Sequence, residues 1–212
     1  MGIFMVFFVI IRTSVASYQH TTFLTECAHF FSFKTPVYVS SDKEEAFKNL
    51  ADTYIGKPTT LLTYIPYNEE REVARHLLDL NKMDLLDAVL FINEGHQILL
   101  ELLATKLHQF SNVTGIAPQS DFPATRANLR FDTKIYLYDY EEQEERINLK
   151  ELYAVNGKTI SNYVGTWNEA DGLSVVQPNM WERRNNLFGI SLRVTTISTV
   201  QGGFRSGHNS VN

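Results

Sequence analysis

Two rhythms alternate along this chain: short β-branched and aromatic runs, and longer stretches in which apolar side chains return every three or four positions. The first kind predicts strands and the second predicts helices with one buried face. Thr22 to Phe33 carries Phe23, Leu24, Cys27, Ala28, Phe30 and Phe31 at helical spacing and predicts an entry helix. Pro36 to Ser40, PVYVS, predicts a strand. Ser41-Asp42 followed by Glu44-Glu45 has the spacing of a capping box, opening a helix over Lys43 to Tyr54 that ends near Gly56 and Pro58.

The unit then recurs. Thr60 to Ile65, TLLTYI, predicts a strand, Pro66-Tyr67-Asn68 a turn, and Glu69 to Leu80 a helix with Val73, Ala74, Leu77 and Leu78 on one face. Ala88 to Ile92, AVLFI, is apolar at every position, as a strand covered on both sides must be. Asn93 is placed to cap a third helix, Glu94 to Phe110, with Leu99, Leu102, Leu103, Leu107 and Phe110 as its core stripe. Three strand–helix units in succession predict an α/β fold on an open, mostly parallel sheet with flanking helices and right-handed crossovers.

Beyond Gly115 the helical signal fades. Lys134 to Tyr138, KIYLY, alternates, with Ile135 and Leu137 on one face and Tyr136 and Tyr138 on the other. Ile147 to Val155 and Ser161 to Trp167 predict an antiparallel hairpin turning at Asn156-Gly157. Asp171-Gly172 through Pro178-Asn179 is turn-rich and closes the domain. In Trp181 to Thr196, WERRNNLFGISLRVTT, an Asn185-Asn186 turn leads into the alternating Ile190, Leu192 and Val194, the truncated strand of a second domain. That strand, Ile190 to Ile197, is expected to lack partners, and Gln201 to Asn212, with Gly202, Gly203 and Gly207, to be a flexible tail. The resulting division is 1–17 signal peptide, 18–170 α/β domain, 171–186 linker, and 187–212 truncated domain plus tail.

Ile3 to Ile11, IFMVFFVII, has the length of a signal-peptide core and is too short to span a bilayer, and Val15 and Ser17 precede Tyr18 as a cleavage site requires. Arg12 follows the apolar run instead of preceding it, so a signal anchor or a mis-assigned start is the alternative. A secretory route is expected, with membrane attachment only through a region missing downstream. The single cysteine, Cys27, cannot form an internal disulfide; a buried free thiol is expected over pairing between chains. A net charge of −5 without a basic face argues against nucleic-acid binding.

Strand ends facing the ligand crevice of a parallel sheet carry Ser41, His96 and Asp139, from which a hydrolytic triad can be drawn. The same residue types are what helix caps require, and no GxSxG elbow is present, so capping is favoured and no catalytic residue is assigned. Dinucleotide, P-loop, zincin, CxxC and EF-hand motifs are missing, and no cofactor or metal is expected. The acids Glu141, Glu142, Glu144 and Glu145 predict a solvated turn. Asn112-Val113-Thr114 is an N-glycosylation sequon following the third helix.

The segment WNEADG to PNMWERRNNLFGISLRVTT resembles insect chemosensory ionotropic receptors, divergent relatives of ionotropic glutamate receptors, and most closely their acid-sensing branch. Trp167, Trp181, Arg183, Arg184, Asn186, Leu187, Gly189 and Leu192-Arg193-Val194 carry the likeness, supported by Asp132 to Tyr153. The resemblance implies a non-enzymatic amino-terminal ectodomain, one periplasmic-binding-protein-like lobe, that assembles with other receptor subunits including a co-receptor. It makes Arg183-Arg184 a hinge between modules, a solvated pair being the plainer expectation. The alternative is a small secreted α/β protein acting as a hydrolase or a carrier of a small acid.

Overall fold

The computed structural model describes residues 19–40, 63–66, 70–92, 96–110, 112–185, 196–200 and 203–207. The helix expected over Lys43 to Tyr54, the Asn93 cap, and Asn186, Leu187 and Gly189 lie outside these residues.

Helix α1 (19–30) precedes β1 (Pro36–Ser40) and β2 (Thr63–Pro66); α2 (Glu70–Lys82), β3 (Ala88–Phe91) and α3 (Gln97–Thr105) follow, with a single 3-10 turn at Leu107–Gln109. Then come β4 (Thr114–Pro118), β5 (Ile135–Glu141), β6 (Arg146–Val155), β7 (Lys158–Asn168), β8 (Gly172–Val175) and a one-turn helix α4 (Met180–Arg183). A separate pair, β9 (Thr196–Val200) and β10 (Gly203–Gly207), comes last.

Strands β1 to β8 form one sheet in the order β2-β1-β3-β4-β5-β6-β7-β8. Pairing from β2 through β5 is parallel, and from β5 through β8 antiparallel. The sheet is therefore mixed, where the sequence pattern predicts a mostly parallel one. The reason lies in the connections. The connections from β2 to β3, β3 to β4 and β4 to β5, the first two helical, are long enough to return the chain to the same end, whereas the tight turns after β5, β6 and β7 force reversal.

The period of two in β5 splits the core as its sequence predicts. Ile135 and Leu137 join Val37, Val39, Val89 and Phe91 against α2 and α3, while Tyr136 and Tyr138 join Leu90, Ile116 and Trp167 against α1. On α3 the buried stripe is Leu99, Leu100, Leu103 and Ala104, each large side chain stabilising by about 1.5–3 kcal/mol on burial. Helices α1 and α2 end alike. Ser32 (φ 58°) and Asp84 (φ 56°) take the left-handed conformation, and the next residue's N–H reaches back five positions, Phe33 to the Ala28 carbonyl and Leu85 to that of Leu80.

Asn156 (φ 54°) and Gly157 (φ 74°) make the two-residue turn between β6 and β7, the Asn-Gly pair that such a hairpin selects. Strand β8 lies in the segment whose composition predicts only turns. Gly165 admits it: a Cβ there would stand 2.0 Å from the Ser174 carbonyl oxygen, so only glycine lets the two backbones approach. Glu26 of α1 then accepts a 2.9 Å hydrogen bond from the Leu173 N–H, tying the first helix to the last strand of the sheet. Of the strand expected over Ile190 to Ile197, residues 190–195 lie outside the described residues; Thr196 and Ile197 belong to β9, which pairs antiparallel with β10 in part of the glycine-containing stretch expected to be a tail.

Candidate functional site

Strand β6 places Glu151 opposite Tyr136 of β5 and Asn162 of β7, within the aromatic face of the sheet. Its side chain is fully buried. A carboxylate removed from water requires compensating charge and hydrogen bonds, and the chain supplies these from the segment after β8. The Asn179 side chain accepts from the Trp181 N–H at 2.9 Å and caps α4, whose single turn brings two consecutive arginines onto the sheet.

Arg183 donates from Nη2 to Glu151 Oε2 at 3.0 Å and to the Tyr136 hydroxyl at 3.1 Å. Its Nη1 donates to the carbonyls of Gln177 and Pro178, bracing the segment that carries it. Arg184, whose side chain is wholly buried, donates from Nε and Nη2 to Glu151 Oε2, both at 3.3 Å. The Phe131 carbonyl takes its Nη1 and the Thr133 carbonyl its Nη2, the latter at 2.9 Å, while the guanidinium carbon lies 4.3 Å from the Tyr153 ring centre. Asn162 completes the set, donating to Glu151 Oε1 at 3.3 Å, to the Tyr153 hydroxyl at 3.1 Å and to the Arg183 carbonyl.

Two cations thus share one carboxylate. The excess positive charge is met by backbone carbonyls and by the faces of Tyr153 and Tyr136, a combination suited to the flat, five-donor guanidinium and closed to an ammonium. Burial raises the Tyr136 hydroxyl above its usual value; the charge of Arg183 opposes this and that of Glu151 adds to it, so the phenol stays neutral at pH 7. The cluster is sealed, and every member's charge is already engaged. It fastens residues 177–184 to the sheet. The Arg183-Arg184 pair is therefore buried, not solvated. Burying it needs an acid distant in sequence, which no local pattern reveals.

The other sequence-selected residues are not assembled into a site. Ser41 lies outside the described residues, His96 is buried and Asp139 is exposed on β5. His96 sits against the Phe91 ring, 5.5 Å between centroids, and its backbone N–H donates to Asp121 at 3.3 Å. Burial lowers its pKa, against a raising effect from Asp121. The strand order reverses between β1 and β3, where open sheets bind ligands, but here Tyr138 donates its hydroxyl to the Phe91 carbonyl at 2.8 Å and His20 Nδ1 lies 3.2 Å from the Ile92 carbonyl. Among the described residues, the rings of His20 and Tyr138 lie at that end, 5.4 Å between centroids.

Glu141 and Glu144 pair with Arg146 in the turn between β5 and β6, where the hydrogen bonds from Asn148 and Arg146 lower the pKa of Glu141. Glu144 and Glu145 line an open acidic depression of about 460 Å³ with Glu169 and Asp171. Among the described residues no three His, Cys, Asp or Glu are grouped to hold a metal ion, and no helix is long and apolar enough to cross a membrane. Trp181 is 55% exposed, with its ring 5.7 Å from that of Phe131, and Asn112 is exposed in the turn before β4.

No curated protein matches the chain. The family model described as the ionotropic receptor 75a N-terminal region matches residues 107–197, which span β4 through β8, α4 and the arginine pair. That family is a receptor region and not a class of enzyme. The sheet half that receives the buried arginines and the segment that delivers them thus fall within a single matched unit, and over residues 107–197 this chain is similar to the ionotropic receptor 75a N-terminal region.

Proposed function

We propose that the chain is the extracellular amino-terminal domain of a chemosensory ionotropic receptor subunit, of the ligand-gated cation channel family. Its work there is subunit assembly, with other receptor subunits and a co-receptor as partners, and support of odorant or acid detection. The match over residues 107–197 carries this reading. The sealed cluster at Glu151 supports it, because a module that hands its chain to a following domain needs a fixed point of exit. The parallel half of the sheet, with helices on both faces, is compatible with one lobe of the periplasmic-binding-protein kind.

In this reading residues 1–17 are a signal peptide and the mature chain is extracellular, non-enzymatic and free of cofactors. We place the exit of the first domain after Arg184 instead of at residue 170, since β8 and the arginine pair both pack on the sheet. Co-expression of the tagged chain with an ionotropic receptor co-receptor in insect cells, followed by affinity capture and light scattering, tests the assembly role. Capture of the co-receptor is expected; a strictly monomeric chain that captures none overturns it.

A further inference from the structure

Asn112-Val113-Thr114 is the one N-x-Ser/Thr triplet with x other than proline in the 212 residues. The structure separates its three positions. Asn112 is exposed at a turn in which the Val113 N–H reaches the Phe110 carbonyl at 3.0 Å. Val113 and Thr114 are buried at the start of β4, where the Thr114 N–H bonds the Asp87 carbonyl at 2.8 Å and the Gly115 N–H that of Lys134 at 2.9 Å. The acceptor amide therefore points where a large hydrophilic group is tolerated, while the hydroxyl that defines the acceptor triplet becomes enclosed once β4 pairs with β3 and β5.

We propose that Asn112 carries an N-linked glycan, attached before β4 joins the sheet and left outside it afterwards. The inference rests on the proposed secretory route of the chain. The co-reactant is an oligosaccharide carried on a lipid pyrophosphate. The Asn112 Nδ2 forms a bond to the sugar's C1, the C1–O bond to the pyrophosphate breaks, the lipid pyrophosphate departs, and the amide proton passes to a base of the transferase. Asn112 precedes β4 at the end of the sheet where Arg184 binds the carbonyls of Phe131 and Thr133. A glycan there keeps the turn between Phe110 and Val113 out of any subunit interface and places it at the end from which the chain leaves the domain.

Cell-free translation of the full chain with microsomes tests this, reading protease protection and sensitivity to an endoglycosidase together. Wild type and Thr114→Ser are expected to be protected and to shift by one glycan, while Asn112→Gln and Thr114→Ala are protected and do not shift. Lys158→Thr, which turns the exposed Asn156 hairpin into a second acceptor, adds one further shift as an internal control. A protected wild type that matches Asn112→Gln in mobility overturns the glycan and leaves the receptor reading intact. A wild type open to protease and unshifted overturns both.

Discussion

Arg184 and Glu151 are separated by thirty-three positions in the chain and meet at 3.3 Å with neither side chain touching solvent. The pair is the fastening between the sheet and the segment that follows it. Buried ion pairs are poor sources of net stability, because desolvation offsets attraction, but removing one partner leaves an uncompensated charge.

Glu151→Gln is expected to destabilise the chain by about 3–5 kcal/mol, since two buried guanidiniums lose the one carboxylate that pairs with them among the described residues. Thermal unfolding of the full chain should move down on the order of 10 °C. A change of less than about 1 kcal/mol in denaturant melts would show that the cluster is hydrated and open.

The two arginines should differ. Arg184 directs three of its nitrogens to Phe131, Thr133 and Glu151 and stacks on Tyr153, whereas Arg183 leaves its buried Nε without a hydrogen bond. Arg184→Lys is expected to cost about 2 kcal/mol more than Arg183→Lys, as buried carbonyls lose their donors. Equal melts for the two variants would refute this ranking.

Two glycines give opposite outcomes on replacement by alanine. At Gly165 the new Cβ meets the Ser174 carbonyl at 2.0 Å, backbone that cannot move without displacing β8, so a loss of about 1–3 kcal/mol is expected. At Gly115 it meets Ile135 Cδ1 at 2.7 Å, the free end of a side chain beside an apolar cavity of about 40 Å³. Ile135 has room to turn, so Gly115→Ala should change stability by less than about 1 kcal/mol. Paired urea titrations distinguish the two cases.

Cys27 is wholly buried, and burial pushes its thiol well above the ordinary value of 9.0, with the Glu26 charge adding to the effect. The folded state holds this proton more tightly than the unfolded one. Its contribution to stability is therefore complete below pH 9.0 and is lost as pH rises above it toward the folded-state value. Burial raises Tyr136 from 10.0, in the same direction. The native chain should resist a thiol reagent at neutral pH and react on unfolding, and Cys27→Ala should flatten the alkaline decline. Rapid labelling of the folded protein would contradict the burial.

Much of the fold is legible in the sequence because it is governed by neighbours along the chain. The alternation in KIYLY assigned Ile135 and Leu137 to one core and Tyr136 and Tyr138 to the other. Asn156-Gly157 specified a hairpin because few other pairs accept two left-handed residues in succession. Strands β4 and β8 escaped that reading: TGIAP and GLSV are short, contain glycine or proline, and gain their hydrogen bonds from strands far away in sequence. The helix after β3 is also shorter than its apolar stripe, ending at Thr105 before a 3-10 turn.

Glu151 was the least visible residue of the cluster. It stands in LKELY as an acid in an otherwise ordinary amphipathic strand, and no local pattern distinguishes a buried carboxylate from a solvated one. Two adjacent arginines beside a tryptophan were conspicuous, and the family resemblance gave them weight. Their burial was not readable, because it depends on an acid thirty-three positions earlier.

By itself, then, the sequence determined the local elements, the division of the core into two faces and the family likeness, all of which follow from short-range spacing and from motif. Only the tertiary structure decided where the sheet turns from parallel to antiparallel, which strand closes it, and what Arg183 and Arg184 hold. Those outcomes depend on partners brought together by the finished sheet, where excluding water makes a misplaced charge far more expensive than it is along the open chain.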